Sequence, residues 1–162
     1  MALRKILTQE DETLAIPSRK VEKFDRRLHI LLGDMIDTLR LAQGVGLAAP
    51  QVGVLRRVAV VDTEQEILEM VNPEIIGIEG EQEGVEGCLS FPGIYGIVKR
   101  PMKVTIRAQD RKGAYYERTG EGLIARAFCH EIDHLDGKLF SSLVVRYLEP
   151  EGQEEGEGEE ET

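Results

Sequence analysis

The sequence has no tryptophan, 5% aromatic residues, two cysteines and three histidines among 162 residues. Each scarcity excludes something. With so few rings, the core of any folded domain has to be mostly aliphatic. Cys88 and Cys129 are too few for a disulfide framework, so reduced thiols in a cytosolic setting are expected. No apolar run approaches the ~18–20 residues that a membrane-spanning helix needs. The opening stretch MALRKILTQEDE turns acidic before the apolar core of a secretory signal is complete, so no such signal is expected. What remains is a globular composition, 41% apolar, with a length that suits one domain of ordinary size.

Charge is distributed unevenly. The formal net charge is −10, from 30 acidic and 20 basic residues. Residues 149–162 contain eight Glu and no base, and the rest of the chain holds 22 acids against 20 bases. A segment with nothing apolar to bury and strong self-repulsion is expected to be disordered. The expected organisation is therefore a folded domain over residues 1–148 and an acidic tail over 149–162. The net charge of −10 argues against an extended nucleic-acid surface and direct DNA binding, although, placed as it is, that argument applies to residues 149–162 and leaves the nearly balanced body open.

Apolar residues from Val21 to Leu41 recur at three- and four-residue steps and predict an amphipathic helix that ends near Gly44 and Gly46. Strand candidates follow at 56–62, 67–73 and 75–78. A Gly/Glu-rich loop is expected over 77–87, followed by a turn-rich stretch around Cys88. Further strands are expected at 103–110 and 114–118. A second helix is expected from Thr119 or Gly120, with Thr119 as its cap, to Leu135 and ended by Gly137. The apolar run 139–148 reads as a strand or a short helix. Strands grouped between two helices indicate an α+β fold.

The second helix carries His130-Glu131-Ile132-Asp133-His134, an H-E-x-x-H sequence. A four-residue step is slightly more than one turn, so both imidazoles leave one face and can share a metal ion. Glu131 stands beside them, free to handle the proton of a water. His29 has no such partner pattern and reads as a packing or surface residue. A catalytic site of this type needs a third protein ligand. The metzincin extension H-E-x-x-H-x-x-G-x-x-H fails here, because Phe140 occupies the place of the third His and has no donor atom. Cys88, within Glu86-Gly87-Cys88-Leu89-Ser90, is the strongest candidate, since a thiolate completes a Cys/His/His set. Cys129 points about 100° away from His130 around the helix and reads as a packing residue.

Gly44-Val45-Gly46-Leu47-Ala48-Ala49-Pro50-Gln51 fits G-x-G-x-x-A, but it follows a helix and meets Pro50, which excludes a dinucleotide site. Two readings stand side by side for this segment. It is a loop whose bare backbone approaches a ligand, with Gln51 offering an amide, or a helix C-cap with a turn.

Together, Gly44–Gln51, Glu86–Ser90 and His130–His134 resemble the peptide deformylase family, in its order and at its separations, and the similarity spans nearly all of residues 1–148. The resemblance implies antiparallel or mixed sheets around a central metal-binding helix. It implies removal of the N-formyl group from the formylmethionine of new bacterial or organellar polypeptides. Cys88, His130 and His134 would bind one divalent ion, natively Fe(II), with zinc, nickel or cobalt as substitutes. Glu131 would be general base and acid, and Gln51 and the Leu89 backbone N–H would stabilise the oxyanion. Gly46 would pair with the substrate backbone, while Val45, Glu86 and helix residues near His130 would border the methionine pocket. Two departures are visible. Cys129 stands where the family often has Gln, and the acidic tail replaces the basic C-terminal helix that some members are thought to dock on the ribosome. Any ribosome contact is therefore expected elsewhere than in the tail, in a cytoplasmic bacterial enzyme. The alternatives are an H-E-x-x-H metallopeptidase, disfavoured by Phe140, and a non-catalytic metal- or peptide-binding relative, disfavoured because Glu131 and every ligand are present.

Overall fold

A computed structural model describes residues 2–8 and 10–148. The acidic tail, 149–162, lies outside the described residues. Two helices, α1 (Arg26–Ala42) and α2 (Leu123–Leu135), pack with eight strands. Strands β1 (Gly46–Ala48), β2 (Val58–Asp62), β3 (Ile67–Glu79), β6 (Lys103–Gln109) and β7 (Tyr115–Glu121) form one sheet in the order β1-β2-β3-β6-β7. Strands β4 (Gln82–Cys88), β5 (Phe91–Arg100) and β8 (Val144–Tyr147) form a second in the order β4-β5-β8. Every strand pair is antiparallel, which confirms an α+β fold and resolves the choice between antiparallel and mixed sheets.

The larger sheet is covered on both faces, and β2 shows why its sequence is continuously apolar. Val58 and Val60 face Leu28, Leu32 and Met35 of α1. Ala59 and Val61 face Phe128, Ile132 and Leu135 of α2. A strand buried on both sides has no solvent face to fill with polar residues.

Helix α1 begins five residues later than its apolar spacing predicts. Asp25 is extended and its carboxylate accepts from the Leu28 N–H at 3.1 Å, a side-chain cap that starts the helix there. Val21 is held before it by Asn72, whose side chain bonds both the Val21 N–H (2.8 Å) and its carbonyl (2.9 Å). Val21 and Phe24 thus join the core from an extended segment, not from the helix.

The candidates at 67–73 and 75–78 are one strand, β3. Asn72 adopts φ 51 and shifts the register between Val71 and Glu74, so Pro73 sits at a bulge instead of ending the strand. The expected Gly/Glu loop is the end of β3 and the whole of β4. Its glycines leave room for neighbours: a Cβ at Gly87 would lie 2.6 Å from the Tyr95 ring. Strand β5, rich in Gly and Pro at its start, had no counterpart among the expected elements. Helix α2 also starts later than expected. Thr119 lies in β7 with its hydroxyl 2.8 Å from that of Thr105, and Gly122 (φ 59) precedes the helix. Gly137 (φ 76) follows its end as expected, where a Cβ would lie 2.8 Å from the Ala15 carbonyl. The run from Leu139 contains both alternatives, a 3-10 turn over Phe140–Leu143 and then β8.

Candidate metal centre and active site

Helix α2 runs between the two sheets and turns a polar face inward. His130 and His134 project from that face, both buried, as one helical turn requires. Cys88, the last residue of β4, meets them. The donor atoms of Cys88, His130 and His134 all lie within 4.8 Å of one another, and the Cys88 Sγ is 3.2 Å from the His134 Nε2.

A carboxylate orients the first imidazole. The His130 Nδ1 is 2.9 Å from the Glu86 Oε1, which leaves Nε2 as the nitrogen available to the centre. Glu86 is itself fixed by Arg100, through Nε at 2.7 Å and Nη2 at 2.9 Å, and by Arg126 Nη1 at 2.8 Å. Arg100 also reaches Asp133 at 2.7 Å. Burial works to raise the pKa of Glu86, but Arg100 and His130 outweigh it and hold the carboxyl down to about 2. Glu86 therefore borders the cavity with its carboxylate held against His130 by Arg100 and Arg126.

The donor set fits a divalent cation. One sulfur and two imidazoles are ligands for several such ions. Burial pushes His134 down to about 3, so its ring is neutral, with one nitrogen able to donate a lone pair to a metal ion. Burial also opposes charge on His130, yet the Cys88 sulfur and the Glu86 carboxylate beside it raise its pKa to about 10.

Glu131 faces the opposite way from Glu86. It is buried, its Oε1 has no hydrogen-bond partner among the described residues, and burial raises its pKa to about 7. It lies against Gly46 of β1, where a Cβ would sit 2.5 Å from the Glu131 Oε2, so only glycine fits there. Gln51, in the 3-10 turn Ala49–Val52, is locked at both ends of its amide. Oε1 accepts from the Ala48 N–H at 2.9 Å, and Nε2 donates to the Ser90 Oγ at 3.1 Å and faces the Cys88 Sγ at 3.5 Å.

A cavity of about 490 Å³ opens onto these groups, and Val45, Gly46, Gln51, Glu86, Leu89 and Glu131 all line it. The structure thus brings every predicted site residue to one place. The segment Gly44–Gln51 satisfies both of its readings. Gln43 (φ 57) closes α1, and the bare backbone of Gly46 then approaches Glu131. His29 stands apart, its Nε2 2.8 Å from the Arg111 carbonyl. Cys129 is buried in the core between α2 and the larger sheet, where burial raises its thiol to about 11. Phe140, in the metzincin position for a third ligand, packs edge-on against Phe91 at 5.1 Å. Sequence reasoning missed Arg100 and Arg126, which no local motif marks, and gave Ser90, the last residue of the Glu86–Ser90 motif, no role.

Known proteins share this sequence and fold. The family model described as "Polypeptide deformylase" matches residues 3–147. A peptide deformylase of Caldicellulosiruptor bescii is 57% identical over 93% of this chain and 91% of its own. Peptide deformylase 2 of Clostridium acetobutylicum is 52% identical over 91% of this chain and 99% of its own. Among solved structures, a peptide deformylase from Legionella pneumophila superposes with a TM-score of 0.86 at 51% identity, covering 88% of this chain and 86% of that one. One from Thermotoga maritima gives 0.87 at 37% identity, covering 89% and 99%. Sequence, fold and the convergence of Cys88, His130 and His134 agree, and the chain belongs to the polypeptide deformylase family.

Proposed function

We propose that Cys88, His130 and His134 hold the divalent ion with which this metal-dependent hydrolase removes the N-formyl group from formylmethionine at the start of newly synthesised polypeptides. The native ion is Fe(II), and zinc, nickel or cobalt can take its place. When bound, such an ion polarises the formyl carbonyl and makes a water nucleophilic near neutral pH.

The chain's own residues carry the remaining work. Glu131 takes the proton of the attacking water and delivers it to the departing amine as the C–N bond breaks, leaving formate and a free N-terminus. A pKa raised by burial to about 7 suits a group that must both accept and release a proton. The Gln51 Nε2 and the Leu89 backbone N–H stabilise the oxyanion that forms on the formyl oxygen, the Gln51 amide being held by Ala48 and Ser90 and offering the second N–H, which otherwise faces the Cys88 Sγ. Gly46 lies on β1, an edge strand paired only with β2, and its free edge accepts the substrate backbone in strand fashion. Val45, Glu86 and the inward face of α2 border the pocket for the methionine side chain. The formyl carbon carries only hydrogen, so this tight site excludes bulkier acyl groups.

Residues 1–148 constitute the deformylase domain, and the acidic extension 149–162 supplies no catalytic group. Nascent polypeptides place the enzyme in the bacterial cytoplasm. Any ribosome contact is made by the domain, because eight Glu repel phosphate. No helix among the described residues is long and apolar enough to cross a membrane.

The observation that carries this reading is the buried Glu131 carboxylate, whose Oε1 has no hydrogen-bond partner among the described residues, beside three converging donors. Anaerobically purified protein loaded with Fe(II) or Ni(II), given formylmethionyl and acetylmethionyl peptides, should release formate and no acetate. Internal cleavage without formate would establish a peptidase instead.

A further inference from the structure

Arg126 has no place in the reaction above, yet it is buried and lines the same cavity as Glu131. It lies one turn before His130 on α2, so both side chains leave the helix toward β4. There they meet the same carboxylate. The Glu86 Oε2 accepts from Arg100 Nε and Arg126 Nη1, while Oε1 accepts from Arg100 Nη2 and faces the His130 Nδ1. A carboxylate offers about four lone-pair directions, and here all four have partners. Arg100 fixes the carboxylate plane from the side of Asp133. Arg126 fixes it from the cavity side and is tied down by the Val98 carbonyl at 3.2 Å and the Gln82 Oε1 at 3.1 Å. Strand β4 makes room for this, since a Cβ at Gly84 would lie 2.6 Å from the Arg126 Nη2.

We infer that Arg126 is a positioning residue that acts on His130 through Glu86, tying the wall of the substrate cavity to a metal-binding imidazole. The inference rests on the assignment of His130 as a ligand. Without Arg126 the Glu86 carboxylate keeps Arg100 but loses the arginine that holds it from the cavity side. It can then tip about the Arg100 pair and take the His130 ring with it. Lysine in its place restores the charge with a single-point donor and no planar fork.

The test is a Co(II) titration of the full chain, followed by visible absorption. Arg126→Met should weaken Co(II) binding about tenfold, the low end of what loss of an outer partner costs, and should alter the cobalt spectrum. Arg126→Lys should recover part of the affinity. Gly84→Ala, which displaces the guanidinium without changing charge, should move affinity the same way by less, and these two variants decide the matter if Arg126→Met does not fold. In a Glu86→Gln background, Arg126→Met should cost nothing further. Wild-type affinity and spectrum in the Arg126 variants, with only KM for formylmethionyl peptides altered, would make Arg126 a pocket wall and overturn the inference. So would an additive loss in the double variant. Cobalt-loaded wild type that releases no formate would instead overturn the proposed reaction and leave the cobalt comparison intact.

Discussion

The two helices bury their inner faces on opposite sides of one sheet, for opposite reasons. Helix α1 hides Leu28, Leu31, Leu32, Met35 and Leu39 in ordinary hydrophobic packing, and its two buried polar residues, Asp34 and Thr38, are satisfied by hydrogen bonds from Ala2 and Arg4. Helix α2 hides Phe128, Ile132 and Leu135 toward the sheet but Arg126, His130 and Glu131 toward the cavity, with His134 buried one turn further on. Burying those four groups opposes folding unless each finds a partner. Arg126 and His130 find Glu86, while the Glu131 Oε1 and the His134 Nδ1 find none among the described residues. Stability and chemistry are thus divided between helices, with α1 free to be optimised for packing and α2 held to a costly arrangement by its task.

The sharpest break in that division comes at Glu131. Glu131→Ala should retain the metal yet lower formate release by about 10²–10⁴-fold, the range expected for loss of a general base. The same change should raise the thermal midpoint, because it removes a partnerless buried carboxylate. A lower midpoint would mean that Glu131 is structural and would blur the contrast. Leu32→Ala on α1 should do the reverse. It should cost about 2–5 kcal/mol in denaturant unfolding and leave Co(II) affinity of the folded protein unchanged.

A smaller effect is expected where neither helix is involved. The Tyr116 hydroxyl donates to the Glu69 carbonyl at 2.5 Å, and burial raises its pKa above the ordinary value of about 10. The folded state holds that proton more firmly than the unfolded chain does. Its contribution is therefore complete below about pH 10 and declines as pH rises beyond it. Tyr116→Phe should cost about 1 kcal/mol near neutrality and flatten the alkaline decline of stability, with activity unchanged. Least of all, Asp25→Ala should lower the thermal midpoint slightly by removing the α1 cap. Hydrogen exchange should quicken at the Leu28 amide and not along α2.

Which features were legible in the sequence follows from how far apart the interacting residues lie. His130 and His134 announce themselves because a four-residue step is a property of the helix alone. Cys88 and Gln51 were legible because each sits in a short motif whose chemistry matches a need of the site. Glu86 was expected only as a pocket border, since its partners Arg100, Arg126 and His130 are 14, 40 and 44 residues away and carry no local mark. Strands β4 and β5 escaped notice for a related reason. Their glycines read as flexibility, whereas Gly84 and Gly87 are bare so that Arg126 and Tyr95 can lie across them. Likewise, the apolar spacing of Val21 and Phe24 is genuine, but the Asp25 cap and the Asn72 clamp decide that the helix starts after them.

Strands β1 and β4 are each paired on one side only, and both line the same cavity. A polypeptide that lies along either of them must be extended over several residues, because a strand edge recognises only backbone that is free to pair. Once the first residues of a new protein are tucked into its own structure, they no longer fit. The open edges therefore set a deadline: deformylation has to win a race against the folding of the very chain it acts on, and the proteins most exposed to losing it are those whose N-termini are buried earliest.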